Sequence, residues 1–258
     1  MFIRILSSII LLPLLIFILI NGGIPLYLGV LIVSLIALKE FYDAFKEKNL
    51  NSVNVLGYIL CLIFFIFSVL KFSNEYLLGL SFILFLVACI LIVLRKYNIM
   101  DMSITFLGIL YIPYLLNHIV LISKLSDYEY VWLVFIIAWM TDTFAYFSGY
   151  FFGKNKLIPE VSPKKTVEGS IGGILGSSLS CVLFGSLFNL NLLHMAVIGL
   201  IGSIIAQFGD LFASSIKRFL GIKDYGKLIP GHGGILDRFD SIIFTAPFVY
   251  YYILFFIK

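Results

Sequence analysis

The chain has 258 residues, of which 61% are hydrophobic and 12% are charged, and its formal net charge is +4. Apolar runs of membrane-spanning length recur along it, so the composition excludes a soluble globular domain and predicts a polytopic membrane protein. A chain that crosses lipid must satisfy its own backbone hydrogen bonds, so we expect an all-α bundle of membrane helices. The three cysteines, Cys61, Cys89 and Cys181, lie in apolar runs and are expected to be core residues.

The apolar runs predict about nine transmembrane helices. They are expected at residues 5–21, 24–43, 53–71, 76–95, 104–123, 129–152, 169–188, 192–219 and 238–257. No cleavage site follows the first run, because Asn21-Gly22-Gly23 is a turn, so we expect a retained span. We divide the chain into about five N-terminal spans (residues 1–128) and a C-terminal transmembrane region of about four spans with cytoplasmic loops (residues 129–258).

Lysine and arginine are distributed unequally between the two sides of this predicted topology. Fifteen of the 18 fall at the N-terminus and in the even-numbered loops, and three, Lys71, Lys124 and Lys258, fall on the other side. The positive-inside rule therefore predicts a multi-pass protein of the inner or plasma membrane with its N-terminus and charged site in the cytoplasm. The first five spans carry few charges, and we expect little chemistry from them.

The sixth predicted span contains a carboxylate, Asp142, about ten residues before its cytoplasmic end. Ten residues of helix correspond to roughly 15 Å, and a carboxylate at that depth is costly unless it is paired, metal-bound or facing water. Asp142 could be a buried residue that is hydrogen-bonded by its threonine neighbours or paired with a lysine from elsewhere. We favour a functional role, because the span leads directly into a basic loop.

The loop after this span has the composition of a phosphate site. Pro159 and Pro163 predict an extended segment. Ser162-Pro163-Lys164-Lys165-Thr166 then leads to Glu168 at the start of the next span, where hydroxyls, lysines and exposed helix N–H groups suit phosphate. An ordinary positive-inside loop before a capped helix explains this pattern equally well.

Four glycines in the seventh span form two overlapping GxxxG patterns. They are Gly169, Gly172, Gly173 and Gly176. Small residues at this spacing let helix backbones approach closely, within one chain or between two copies.

The stretch from Asp210 to Asp240 concentrates nine charged residues and His232 in an otherwise apolar protein. Four polar residues of the eighth span share one helical face by their spacing, namely Gln207, Asp210, Ser214 and Lys217. Asp210 on this face is typical of a metal ligand with phosphate contacts beside it. A structural ion pair between Asp210 and Lys217 is the alternative.

The loop that follows brings a second carboxylate to the same predicted side. Lys223, Asp224 and Lys227 precede the turn Pro230-Gly231-His232-Gly233-Gly234, whose glycines permit positive φ and close approach of a phosphate to backbone N–H groups. Asp237, Arg238 and Asp240 then begin the ninth span. Asp237 alone could be an N-cap. Two carboxylates from different helices beside several cations instead suit Mg²⁺ bound with substrate phosphates, whereas zinc prefers Cys and His.

These residues resemble the signature of the CDP-diacylglycerol synthases, or phosphatidate cytidylyltransferases. The matching pattern is Ser215-x-Lys217-Arg218, Lys223-Asp224-x-Gly226 and Pro230-x-His232-Gly233-Gly234-x-x-Asp237-Arg238-x-Asp240. The upstream segments DTFAYFSG and SPKKTVEG are similar to the family's second motif, so the resemblance covers roughly the C-terminal half. It implies transfer of CMP from CTP to phosphatidate with release of pyrophosphate, a divalent metal and often a homodimer.

The residues and the resemblance together give the expected site. Metal ligands are expected at Asp210 and Asp237. Catalytic roles are expected for Asp210, Lys217, Arg218, Asp237, Arg238 and Asp240. Substrate binding is expected at Asp142, Ser162, Lys164, Lys165, Thr166, Glu168, Ser214, Lys223, Asp224, Lys227, His232, Gly233 and Gly234. The expected cofactor is Mg²⁺ or another divalent cation, with room for a second cation, and the expected partners are CTP, phosphatidate, membrane lipid and a second copy, with no nucleic acid.

Three other functions use similar parts. A CTP-dependent lipid kinase, or a cytidylyltransferase for another lipid phosphate, would need the same metal and phosphate contacts. A transporter for a phosphorylated solute would explain acidic residues in interrupted spans, Asp142 and Asp210. The one-sided distribution of charge and the lack of a detectable inverted repeat argue against the transporter.

Overall fold

The structure is a computed structural model that describes residues 2–70, 74–125 and 127–257. Within these ranges the helices are α1 (Phe2–Asn21), α2 (Gly23–Lys46), α3 (Asn54–Leu70), α4 (Asn74–Val93), α5 (Ile99–Ile109), a π-helical turn (Leu110–Tyr114), α6 (His118–Ile122), α7 (Tyr130–Phe152), α8 (Val167–Leu187), α9 (Leu192–Leu220) and α10 (Leu236–Phe256). The strands are β1 (Lys156–Ile158) and β2 (Ser162–Thr166).

Six helical segments in the described part of the chain are long and apolar enough to cross a membrane. They are Gly23–Lys46, Ile99–Ile122, Tyr130–Phe152, Val167–Leu187, Leu192–Leu220 and Leu236–Phe256. Shorter apolar helical segments, Leu11–Asn21, Asn54–Leu70 and Phe82–Val93, lie where three further spans were predicted. The helical, multi-pass class is thus confirmed. Lys71 and Lys258, which enter the predicted charge asymmetry, lie outside the described residues.

The chain forms two compact units, each built from two separate stretches of sequence. The first comprises residues 1–120 and 224–237, and the second comprises residues 121–223 and 238–258. Residues 224–235 of the loop between α9 and α10 therefore belong to the unit formed by the N-terminal helices. The predicted division of roles at residue 128 stays a prediction.

Tyr42 organises the packing of α2 against α3 and α5 in the first unit. It is fully buried and donates a hydrogen bond to the backbone oxygen of Thr105, 2.9 Å away. The Thr105 hydroxyl in turn accepts the N–H of Val53 at 2.8 Å. A Cβ at Gly57 or Gly108 would lie within 2.7 Å of the Tyr42 ring, so both glycines make room for the aromatic side chain.

Asp101 and Pro113 have structural roles at the start of α5 and in the turn that continues it. Asp101 belongs to a capping box, in which its backbone N–H donates to Asn98 Oδ1 at 2.7 Å and its carboxylate accepts the N–H of Asn98 at 3.2 Å. Pro113, which lacks an N–H, lies in the π-helical turn that continues α5. Asp101 is thus a structural residue.

The glycines of α8 pack this helix against α7 in the second unit. A Cβ at Gly169 would lie 2.8 Å from the backbone oxygen of Ala145, and a Cβ at Gly173 would lie 2.9 Å from that of Thr141. Gly172 and Gly176 face Ser148 and Phe144 in the same way. The GxxxG patterns therefore serve helix packing within one chain.

The proline-containing loop is a β-hairpin between α7 and α8. β1 and β2 are antiparallel, with Lys156 opposite Thr166 and Ile158 opposite Ser162. This confirms the predicted extended conformation. Thr166 ends β2 and caps α8, because its hydroxyl oxygen accepts the N–H of Gly169 at 3.1 Å.

Candidate functional site

A cavity of about 350 Å³ opens beside α7 and β2 in the second unit. Its lining includes four residues that the sequence predicted to bind substrate, namely Asp142, Lys164, Lys165 and Thr166. Tyr146, Tyr150, Ser170 and Gln207 complete its polar wall, and Ala145, Gly149, Leu157 and Gly169 its apolar wall. The structure thus places Asp142 of α7 and the predicted substrate-binding residues of the hairpin around the same cavity.

The α9 residue Asp210 connects this cavity to the second charged stretch. Its Oδ2 forms an ion pair with the ammonium of Lys165, and its Oδ1 accepts a hydrogen bond from the Ser214 hydroxyl at 3.3 Å. The second contact confirms that Asp210 and Ser214 share a helical face. The side chains of Lys165 and Asp210 are only 25% and 27% exposed, so water screens this pair less than a surface pair.

Two further carboxylates surround Asp210 in the second unit. Asp142 lies close enough to interact electrostatically with Asp210, Lys165 and Arg238. Asp240 likewise interacts with Asp210 and Asp142, and with Lys217. Three carboxylates that repel one another are thus offset by neighbouring cations. The lysines and the arginine of this cluster can bind an anionic phosphate.

The hairpin is held at both of its ends by residues predicted to act in the site. Arg218 Nε donates to the backbone oxygen of Val161 at 3.3 Å. The Glu168 carboxylate accepts the N–H of Lys154 at 3.1 Å and the side-chain amide of Asn155 at 2.8 Å. These contacts orient the hairpin that carries Lys164 and Lys165. Roles of Arg218 in catalysis and of Glu168 in substrate binding stay predictions.

The glycine turn in the loop between α9 and α10 has the backbone conformation that the sequence predicted. Gly231 and Gly233 have φ values of 81° and 88°. The N–H of His232 donates to the backbone oxygen of Ile229 at 2.9 Å, and that of Gly234 donates to Asp237 Oδ2 at 3.0 Å. Two amides that we expected to face a phosphate therefore donate within the loop, and the roles of His232, Gly233 and Gly234 in substrate binding stay predictions.

Asp237 stabilises the same loop. Its Oδ2 also accepts the N–H of Tyr225 at 2.8 Å, and the residue is only 6% exposed. These bonds reach back into the preceding loop, so they are not those of an N-cap, which would accept amides of the helix that follows. The two amide donors therefore hold the Asp237 carboxylate in place within the loop.

Glu40 in α2 is a buried acid that the sequence analysis missed. Its Oε1 accepts the N–H of Ile235 at 3.0 Å and its Oε2 accepts the N–H of Leu236 at 2.8 Å. The residue is 9% exposed. A signal was available, because the predicted span at residues 24–43 contains the carboxylates Glu40 and Asp43, and a carboxylate in a span is costly without a partner.

The remaining predicted residues lie at the surface of their units. Lys223, Asp224 and Lys227 are exposed, and Ser162 is half-buried at the start of β2. Their roles in substrate binding stay predictions.

The described residues contain no group of three or more His, Cys, Asp or Glu side chains arranged to hold a metal ion. Mg²⁺ does not require such a group when one or two carboxylates act together with substrate phosphates and water. Asp210 and Asp237 offer oxygen donors, which suit a hard cation. The donor chemistry thus fits the expected metal.

Comparison with known proteins covers both units. The model of the cytidylyltransferase family matches residues 2–256. A phosphatidate cytidylyltransferase of Staphylococcus haemolyticus is 35% identical over 253 residues, which is 95% of this chain and 96% of the relative. A protein of the same name from Bacillus subtilis is 32% identical over 257 residues, with 96% of each chain covered. The similarity therefore extends well beyond the C-terminal half.

Proposed function

Because the chain belongs to the cytidylyltransferase family, we propose that it transfers CMP from CTP to phosphatidate and makes CDP-diacylglycerol for phospholipid synthesis. The observation that carries this proposal is the match of almost the whole chain to relatives named for that activity. The charged cavity in a multi-pass membrane protein supports it, because one substrate is a nucleotide and the other a lipid.

The reaction needs no oxidant and no covalent enzyme intermediate. A phosphate oxygen of phosphatidate forms a bond to the α-phosphorus of CTP. The bond between that phosphorus and the oxygen that bridges the α- and β-phosphates breaks, and pyrophosphate leaves. The attacking oxygen is already an anion, so a strong general base is not required. Catalysis consists of holding two polyanions in line and offsetting their charge.

Lys164 and Lys165 on β2 supply charge on the cavity side. In the substrate-free protein Lys165 is neutralised by Asp210. A phosphate oxygen that enters the cavity competes with Asp210 for the same ammonium, since both are anionic acceptors. We propose that this exchange lets Lys165 bind substrate, while Lys164 and Thr166 hold a neighbouring phosphate, which we assign to the triphosphate.

The carboxylates of the charged stretch would hold the metal. A Mg²⁺ ion held by Asp210 or by Asp237 would supply charge neutralisation for the phosphate oxygens. Lys217, Arg218 and Arg238 contribute positive charge to those oxygens, and Asp240 orients Arg238 or adds a ligand. A second cation would relieve the repulsion among the carboxylates of the second unit.

The finer topology is part of the proposal. Nine spans are supported by the six long apolar helices together with the three shorter ones. A cytoplasmic N-terminus and active site are supported by the distribution of lysine and arginine. A homodimer is proposed from the family resemblance alone, since the α8 glycines pack within the chain.

The test uses purified protein in detergent with phosphatidate, Mg²⁺ and CTP labelled separately at the α- and γ-phosphates. We expect α-label in the lipid and γ-label in pyrophosphate, and loss of both signals with a chelator. Transfer of γ-label to a lipid alcohol would instead identify a CTP-dependent lipid kinase. If neither label moved, the proposal would be wrong and transport assays would follow.

A further inference from the structure

Glu40 joins two parts of the first unit that lie 195 residues apart in sequence, α2 and the residues at the start of α10. Both of its carboxylate oxygens accept a backbone N–H, one from Ile235 and one from Leu236. The residue is buried, so these hydrogen bonds compete little with water.

The two amides that Glu40 accepts belong to the beginning of α10. The first amides of a helix have no carbonyl four residues earlier and need another partner. The helix N-terminus also carries partial positive charge, which favours a carboxylate. Hydrogen bonds to a charged acceptor are stronger than those between neutral groups. Glu40 therefore caps α10 from a distant helix.

Two glycines of the family signature lie directly against this carboxylate. A Cβ at Gly226 would lie 2.5 Å from Glu40 Oε1 and 2.8 Å from its Cδ. A Cβ at Gly234 would lie 2.7 Å from the same Cδ. Any larger residue at either position would push the carboxylate away from Ile235 and Leu236. The loop backbone thus encloses Glu40 closely.

We propose that Glu40 is a positioning residue for the reaction. It fixes the backbone immediately before Asp237, whose Oδ2 holds the other side of the same loop through Tyr225 and Gly234. The hydrogen bonds of Glu40 and those of Asp237 fix the same loop and so orient the Asp237 carboxylate. Glu40 itself touches no substrate. This inference rests on the proposed function, in which Asp237 is a metal ligand.

The first experiment compares Glu40→Gln with Asp101→Asn in the full-length protein. Asp101 is a matched control, because it is also a buried acid of the first unit that accepts a backbone amide at a helix start. Glutamine keeps one acceptor and turns an NH₂ donor toward the other helix amide. We expect kcat of Glu40→Gln to fall at least about tenfold with KM for both substrates within about threefold, and Asp101→Asn to stay within about twofold.

Equal losses of kcat in the two variants would overturn the inference, because a merely structural acid would then behave in the same way. A kcat for Glu40→Gln within about twofold of the original protein would overturn it as well.

The second experiment is a double-mutant cycle between Glu40→Ala and Gly226→Ala. Gly226 is suited to it because the three heavy atoms nearest to its added Cβ all belong to Glu40. We expect Gly226→Ala to lower kcat at least about tenfold alone and less than about twofold when Glu40 is already alanine. Additive losses would contradict the proposed contact.

Hydrogen exchange separates failure of this inference from failure of the proposed function. If the original protein does not transfer CMP to phosphatidate, the proposed function fails, and Glu40 is judged by exchange alone. Faster exchange in Glu40→Gln confined to residues 224–237 supports the positioning role. Exchange there equal to that of Asp101→Asn overturns it.

Discussion

Glu40 and Asp237 in the first compact unit hold a different kind of partner from Asp210 in the second. In the first unit, Glu40 and Asp237 accept backbone N–H groups and so fix a loop. In the second unit, Asp210 faces the Lys165 ammonium and the carboxylates of Asp142 and Asp240. A carboxylate that binds backbone amides stabilises a backbone conformation. A carboxylate that pairs with a side-chain ammonium can instead exchange that partner for another cation. The second unit is therefore where we expect substrates to change the ion pairing.

The largest effect is expected from Asp210→Asn. The amide is neutral, so it cannot neutralise Lys165 and is a weaker ligand for a cation than a carboxylate. We therefore expect CMP transfer to fall about 10³-fold or more while folding and membrane insertion are retained. Turnover with α-labelled CTP measures the loss, and thermal unfolding in detergent checks the fold. Asp43→Asn is the control, because Asp43 forms an exposed ion pair with Lys46 at 2.8 Å. Near-normal turnover of Asp210→Asn would sink the metal assignment.

Two substitutions of Asp237 divide its loop role from its charge. Asparagine keeps an oxygen that can accept the N–H groups of Tyr225 and Gly234, whereas alanine keeps none. We expect both variants to lose turnover at least about 10²-fold, and only alanine to speed hydrogen exchange in residues 224–237. An active asparagine variant would leave Asp237 with its loop role alone and would remove it as a metal ligand.

Lys165→Met tests the exchangeable ion pair. Methionine has a similar length but no charge, so Asp210 loses its partner and the substrate loses a cation. We expect kcat/KM to fall about 10²-fold. Lys156→Met on β1 is the control, because Lys156 is an exposed lysine of the same hairpin. Equal losses in both variants would show that general positive charge is what matters.

The smallest effect is expected from Lys164→Ala. Lys164 lines the cavity but is exposed, so its contact with phosphate is partly screened. We expect KM for one substrate to rise roughly fivefold while kcat changes less. Steady-state kinetics with each substrate varied in turn would identify that substrate. An unchanged KM for both would refute the role of this loop residue.

Part of the site could be predicted from the sequence, because it depends on the spacing and type of residues that are close together in the chain. The spacing of Asp210 and Ser214 predicted a shared helical face, and the hydrogen bond between them confirms it. The prolines of the loop predicted extended backbone, and the hairpin confirms it. The Lys165–Asp210 pair joins residues far apart in the chain, so no local pattern could have predicted it.

The glycine turn shows the opposite case. Its composition correctly predicted positive φ, which is a property of the local backbone. The same composition suggested free amides for phosphate, but His232 and Gly234 donate within the loop. A local pattern states which conformations are allowed and leaves open which acceptor occupies each donor.

By itself the sequence determined the membrane class, the helical segments and the family, because apolar length and motif spacing are properties of the chain in order. Tertiary structure decided the partners of the buried acids. Glu40 caps a helix that begins 196 residues later at Leu236, and the α8 glycines face α7 rather than a second copy. These contacts depend on which backbone donors and which helix faces lie together after packing, because a buried charge is costly without a nearby partner.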